Sequence, residues 1–184
     1  MTLAEFLAWE ERQERPYEFD GFQPVAMTGG TTEHALVQAN VIMAVGNRLR
    51  GGTCRVLGSH LKIQAAGSIR YPDAFVVCSH APRGTLIVTD PVVVFEVLSP
   101  STSYIDRIEK NRAYRLTPSI KRYVILEQTR QAATVYARSG DDWVADVLIG
   151  DVELSMPEVG IVVPLAELYE GVSFPSDPDA TDDG

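Results

Sequence analysis

The sequence predicts an α/β domain, on three observations. Apolar residues recur at helical spacing near residues 3–13 and 33–49, and a third helix-compatible segment ends before Thr117-Pro118. Between these segments lie short runs of Val, Ile, Phe and Tyr of strand length. The last third of the chain alternates apolar and polar residues between turn signals, as a β-meander does. The domain is placed over residues 1–175. Ser176 to Gly184 is expected to be a disordered acidic tail, because it offers no large apolar side chain to bury.

Thr2 can cap a first helix to about Gln13, with Leu3, Phe6, Leu7 and Glu10 on successive turns. Tyr17 to Met27 alternates around Asp20-Gly21, whose glycine tolerates the positive φ of a type I′ turn, so an N-terminal β-hairpin is expected. Thr31 or Thr32 caps a second helix from about Glu33 to Leu49, with a stripe of Ala35, Val37, Val41, Ile42, Val45 and Leu49. Strands follow at about Cys54–Ile63, Asp73–Val77 and Val92–Val97, with turns at Gly67-Ser68 and Arg83-Gly84. Ser101, Thr102 or Ser103 caps a third helix to about Leu116, where the residue before Pro118 leaves the helical region. Arg122–Leu126 is the next strand. Ala133–Ala137, Trp143–Ile149 and Val152–Leu154 form the meander, and Pro164–Tyr169 a short closing helix.

A chain of 184 residues buries enough surface to fold without staples. Its two cysteines, Cys54 and Cys78, lie in apolar, strand-like segments and read as small buried hydrophobes of a reducing compartment rather than a redox pair. The first ten residues carry acids where a signal peptide carries bases, and no apolar run reaches the roughly 18 residues of a membrane helix. The cytoplasm is therefore the expected location. A formal charge of −9 weighs against a grip on nucleic acid by bulk electrostatics, although part of it resides in the tail.

The chemistry concentrates between Tyr71 and Tyr114. Asp73 opens one apolar run and Glu96 lies near the end of another, where a strand buried on both faces has no inexpensive place for an acid. Antiparallel pairing of the two runs would bring the carboxylates together, and a divalent cation is the usual remedy for their repulsion. Bland readings exist for each residue. Asp73 after Pro72 suits a turn cap, Glu96 suits a salt bridge with Arg70 or Lys110, and Lys110 and Tyr114 suit a solvated helix face. His34 suits a surface position in a first helical turn, and Glu18 a cross-strand partner in the hairpin.

The order helix, strand, strand with Asp73, strand with Glu96, helix with Lys110, strand, together with Pro72-Asp73 and Glu96-Val97-Leu98-Ser99-Pro100-Ser101-Thr102, resembles the PD-(D/E)XK nuclease superfamily. Within it the chain is most similar to the Uma-type restriction endonuclease branch, over about residues 15–170. Tyr17-Glu18-Phe19-Asp20-Gly21, His34 at the start of a helix, and the spacing of Asp106, Lys110 and Tyr114 ahead of Tyr123 also match. The resemblance implies a restriction-endonuclease-like mixed central sheet flanked by helices. It implies a DNA endonuclease in which Asp73 and Glu96, with a backbone carbonyl near Val97, hold Mg²⁺ or Mn²⁺. Glu18, His34, Asp106 and Tyr114 would be supporting residues.

The usual superfamily lysine, two residues after the acid, is Leu98 in this chain. The resemblance implies that Lys110 has taken its place from the following helix. Asp106, Lys110 and Tyr114 stack in one row of that helix, while Ile105, Ile108 and Leu116 lie on another that is expected to face the sheet. Lys110→Met is then expected to cost rate while sparing fold and metal binding. Arg107, Arg112, Arg115, Lys121 and Arg122 are candidates for phosphate contact. The expected partners are DNA and a second copy in a homodimer, with no membrane. Two other readings compete: a binding or oligomerisation module that has lost catalysis, favoured by the acidic charge and Leu98, and a metal hydrolase of small phosphoesters.

Overall fold

The computed structural model describes residues 1–27, 29–98 and 104–175, the side chains of residues 104–107 excepted. The expected tail at 176–184, the Ser99 to Thr102 motif, the third helix's cap and the side chain of Asp106 lie outside the described residues.

Helix α1 (Leu3–Glu10) starts at a capping box, in which the Thr2 hydroxyl accepts from the Glu5 N–H and the Glu5 carboxylate accepts from the Thr2 N–H. Strands β1 (Tyr17–Phe19) and β2 (Pro24–Ala26) form the hairpin. The connection has four residues rather than two, since Phe19 pairs with Pro24. Asp20 decides this: its Oδ1 accepts from Phe22 N at 2.7 Å and Gln23 N at 2.8 Å, and Gly21 takes φ +106°. Helix α2 (Thr32–Leu49) is capped by Thr31 and buries Val37, Val41, Ala44, Val45 and Leu49, together with Asn40, whose amide donates to Leu168 O and Glu170 O.

The run expected at Cys54–Ile63 divides into β3 (Arg55–Gly58) and β4 (Lys62–Ala65), which belong to different sheets. β5 (Ser68–Arg70) follows a tight turn at Ala66 and Gly67, both at positive φ. Then come β6 (Ala74–Val77), β7 (Ile87–Val88), β8 (Val93–Val97), α3 (Tyr104–Arg115) and β9 (Arg122–Leu126). β10 (Ala132–Ser139), β11 (Asp142–Ile149), β12 (Glu153–Met156), β13 (Ile161–Pro164) and a 3-10 turn at Leu165–Tyr169 complete the order.

The main sheet runs β11-β10-β9-β8-β6-β3 and is mixed, with β8 and β9 parallel and joined across α3. A second sheet runs β2-β1-β5-β4-β7. α2 packs on one face of the main sheet against Ala74, Val76, Val93, Phe95 and Val97. α3 packs on the other through Ala113 and Tyr114, against Phe75, Val94, Tyr123 and Ile125. α1 covers the second sheet, where Phe6 stacks on Phe19 at 4.9 Å. No helix among the described residues is long and apolar enough to cross a membrane.

Three expectations are corrected. Cys54 and Cys78 are joined in a disulfide rather than held as separate thiols. The register explains it: Arg55 pairs with Val77, so the next step sets the two cysteines opposite each other at the end of the β3–β6 ladder. The meander also divides, because β10 and β11 extend the main sheet while β12 pairs with β13 in a separate ribbon. Finally, α3 is turned the other way about. Tyr114 is fully buried, whereas Ile108 and Leu116 are 50% and 62% exposed. Lys110 and Tyr114 face inward because carboxylates from two sheets meet them there.

Candidate active site

β6 and β8 are antiparallel neighbours in which Ala74 pairs with Phe95, so one further step sets Asp73 opposite Glu96. Cross-strand partners have Cβ atoms about 5 Å apart. Strand alternation gives both acids the parity of Phe75 and Val94, the residues beneath α3. Asp73 is held from two sides: its Oδ2 accepts from Val97 N at 2.7 Å, and its Oδ1 is 3.3 Å from His34 Nε2. Gln38, one turn further along α2, donates to the Asp73 carbonyl at 2.9 Å. Thr31 fixes the start of that helix by accepting from His34 N.

Glu96 is buried and fully engaged. Tyr114 donates its phenolic proton to Oε1 at 2.7 Å, and Lys110 Nζ lies 3.1 Å from both Oε1 and Oε2. The same ammonium is 3.3 Å from Glu18 Oε1, so Lys110 bridges a carboxylate of the main sheet and one of the second sheet. Glu18 also accepts from Tyr71 N at 3.0 Å and pairs with Arg70 Nη1 at 3.2 Å. The Arg70 contact follows from register, since Phe19 pairs with Ile69 and the next step sets Glu18 opposite Arg70.

These contacts decide the protonation states. Burial pushes the Glu96 carboxyl up to about 7, with Asp73 and Glu18 adding to the rise and Lys110 opposing it. Burial also acts to raise Glu18, but Lys110, Arg70 and the Tyr71 N–H outweigh it and hold that carboxyl below its ordinary range. For Lys110 burial opposes the charge, yet Glu96 and Glu18 prevail and the ammonium is held more tightly than usual. Burial, then Glu96 and Glu18, keep the Tyr114 phenol protonated. The hydrogen bond that His34 donates to Asp73 raises the imidazole against a smaller effect of burial.

A pH dependence of stability follows. Glu96 titrates higher folded than unfolded, so its contribution is complete below the unfolded value near 4.5 and is lost as pH rises through about 7. The melting temperature of the metal-free protein is expected to fall across that window, and Glu96→Gln to remove the step. An unchanged step in the variant would assign it to another group.

Sequence reasoning anticipated Asp73, Glu96, Lys110, Tyr114, His34 and Glu18, and the structure brings these six together. Arg70, offered as a partner of Glu96, is found on Glu18 instead, and Tyr71 and the Glu10–Lys62 pair were not anticipated. Glu10 on α1 is buried, accepts from Tyr71 Oη at 2.8 Å and is paired with Lys62. Its signal was an acid on the apolar stripe of α1. Leu98 packs in the apolar cluster beneath α3, while Lys110 supplies the ammonium at Glu96. Arg122, a candidate phosphate contact, is committed to Glu158 at 2.6 Å. Among the described residues no three or more His, Cys, Asp or Glu side chains are gathered to hold a metal ion. Asp73 and Glu96 are hard oxygen donors, and burial first, with Asp73 and Glu18 adding to it, makes the ionised Glu96 unfavourable without a further cation. Two such carboxylates fit Mg²⁺ or Mn²⁺, cations that retain several waters, better than a metal that needs a full protein cage.

The fold is that of a crystal structure described as "a putative nuclease belonging to DUF820" from Anabaena variabilis. The two share a TM-score of 0.76 and 18% identity over 92% of this chain and 98% of that one. It is a restriction-endonuclease-like fold: a mixed sheet between helices, with paired carboxylates at the end of two central strands. The chain belongs to the Uma2 family, described as "Putative restriction endonuclease", whose model matches residues 3–165. Two Synechocystis sp. proteins are similar along most of their length. "Uncharacterized protein slr1290" is 33% identical over 178 residues, covering 95% of this chain and 94% of that protein. "Uncharacterized protein sll1609" is 26% identical over 158 residues, covering 82% and 89%.

Proposed function

We propose that the chain is a metal-dependent endonuclease that hydrolyses phosphodiester bonds in DNA. The observation that carries this reading is the convergence of Asp73, Glu96 and Lys110 at one end of β6 and β8, with a buried ammonium bonded to the carboxylate expected to bind metal. Asp73 and Glu96, with the Val97 carbonyl, would hold Mg²⁺ or Mn²⁺, which supplies an acidified water and offsets charge growing on the phosphoryl oxygens.

The remaining roles belong to the chain's own side chains. Lys110 places a compact positive charge beside the position of the attacking water, and its reach is fixed by two carboxylates rather than one. Tyr114 donates to Glu96 and so sets that carboxylate's rotamer. His34 does the same for Asp73. Glu18, itself held by Arg70 and Tyr71, keeps Lys110 from collapsing wholly onto Glu96. Asp106 completes the proposed supporting set. A homodimer would set one such centre on each strand of a duplex, and the cytoplasm is the location that suits a DNA substrate.

The test is incubation of the purified chain with supercoiled plasmid and Mn²⁺. Nicked and linear products are expected from the parent and none from Asp73→Asn. Absence of product with both Mn²⁺ and Mg²⁺ between about pH 6 and 9, around the Glu96 titration, would leave the binding-module reading in its place. So would undiminished cleavage by Asp73→Asn.

A further inference from the structure

The β10–β11 hairpin carries eight residues in each strand and projects beyond the flank of α3, which covers β8 and β9. Between the helix flank and the hairpin lies a cavity of about 740 Å³, within the range of sites that hold a small organic group. Its helical wall includes Asn111, Arg112 and Arg115, and its floor and far wall include Thr134, Tyr136 and Trp143. These residues lie on the side of α3 away from Lys110 and Tyr114, so the cavity is distinct from the carboxylate site.

The cavity is built rather than incidental. Arg138, between its two aromatic residues, donates from Nη2 to Arg115 O at 2.8 Å and Thr117 O at 3.1 Å, and from Nε to Ile120 O at 3.1 Å. Those bonds pin the hairpin to the end of α3. The same guanidinium covers the Trp143 ring at 4.7 Å. Tyr136 stacks on its cross-strand partner Tyr123 at 5.9 Å, with the planes 17° apart. Tyr123 meets Tyr114 edge-on at 4.8 Å, and Tyr114 donates to Glu96. An unbroken line of rings thus joins the cavity floor to the candidate active site.

Charge selects the occupant. Six cations of this acidic chain, Arg48, Lys62, Arg70, Lys110, Arg122 and Arg130, are matched to carboxylates, and of the others Arg112 and Arg115 are the two that line this cavity. Arg112 and Arg115 have no ion-pair partner among the described residues, and the cavity lining sets them against one acid, Asp141. Two free guanidinium forks suit phosphate, two half-exposed aromatic rings suit the flat face of a base, and Asn111 and Thr134 offer hydrogen bonds to its edge. A paired base inside a duplex cannot reach such rings, whereas an unpaired one can. We propose that this cavity binds an unpaired nucleotide of single-stranded nucleic acid, its phosphate on Arg112 and Arg115 and its base against Tyr136 and Trp143. The proposal rests on the nuclease reading for its biological substrate, and the experiment separates the two.

The chain has two tryptophans, so a Trp9→Phe background leaves Trp143 as the reporter, and Asp73→Asn in the same chain prevents cutting. Titration with a short oligothymidylate is expected to quench Trp143. Arg112→Ala/Arg115→Ala, at two exposed positions that do not endanger folding, should weaken binding by roughly tenfold or more. It should also flatten the plot of log K against log salt by roughly 0.7, the value for one phosphate on a single strand. Tyr136→Ala should weaken binding by roughly 5- to 150-fold, the range for one stacked base. Equal affinity and salt slope in the arginine variant would overturn the proposal. So would equally tight, arginine-dependent binding of a blunt duplex, or a variant that changes the elution volume of the protein and leaves oligonucleotide binding alone. Plasmid cleavage by the parent without cavity binding sinks the cavity and keeps the nuclease. Cavity binding without cleavage does the reverse.

Discussion

Lys110→Met is expected to lower plasmid cleavage by on the order of 10²-fold or more, the usual cost of removing a positioned charge from beside a reacting group. The structure adds a second cost that the sequence did not show. Lys110 is the shared countercharge of Glu96 and Glu18, all three being largely shielded from water. Breaking a buried ion pair from one side costs roughly 3–5 kcal/mol, because the carboxylates left behind must stay unpaired or take up a proton. For a chain of this size that is a fall of roughly 6–20 °C in melting temperature. The expectation that the fold is spared is therefore revised. Adding Glu96→Gln to Lys110→Met should restore much of the melting temperature and none of the cleavage. Parental stability and rate in the single variant would remove Lys110 from the site.

Arg70→Met is expected to destabilise the fold about as much as Lys110→Met. Arg70 is 3% exposed, and its Nη1 is paired with Glu18 Oε2 at 3.2 Å, while its Nε is buried with no acceptor. The guanidinium is thus held at some cost to hydrogen bonding, which argues that Glu18 needs its charge. Without it Glu18 keeps only the Tyr71 N–H and a share of Lys110, and a loss of roughly 3–5 kcal/mol follows. In Arg70→Met/Glu18→Gln most of that loss should disappear, since no uncompensated charge remains. Thermal denaturation of the two single variants and the double variant measures the coupling directly. Simple additivity of the two losses would mean that Arg70 acts through packing alone.

Much of this was legible from local pattern. The hairpin, α2 and the strands holding Asp73 and Glu96 were each carried by a period and a stop signal within one segment. The same was true of the two acids, since a carboxylate in a β-branched run conflicts with its surroundings wherever the strand goes. The facing of α3 was not legible in that way. Ile108 and Leu116 read as its buried stripe, yet the helix turns Lys110 and Tyr114 inward because Glu18 and Glu96 wait there. That preference depends on two strands far away in sequence, and no window around residue 110 contains it. The Arg70–Glu18 pair was hidden for the same reason, because the two residues lie 52 apart in sequence and meet only through the β1–β5 pairing. Cys54 and Cys78 each looked like small apolar residues, and only the β3–β6 register set them face to face.

The far edge of the main sheet has a consequence for handling the protein. β11 is the terminal strand and has one partner, β10, along all eight of its residues. Val144, Val147 and Ile149 on it are each more than half exposed. Such an edge is a template for strand addition by another chain, and charge is the common guard against it. Here the guards are Asp141, Asp142 and Asp146, all carboxylates on or beside the strand. Because the sequence isoelectric point is near 4.8, acidification towards it removes the colloidal repulsion between molecules and leaves the edge to these local charges alone. Precipitation in mildly acidic buffer would then begin as edge-to-edge sheet growth from the native state, with no unfolding required.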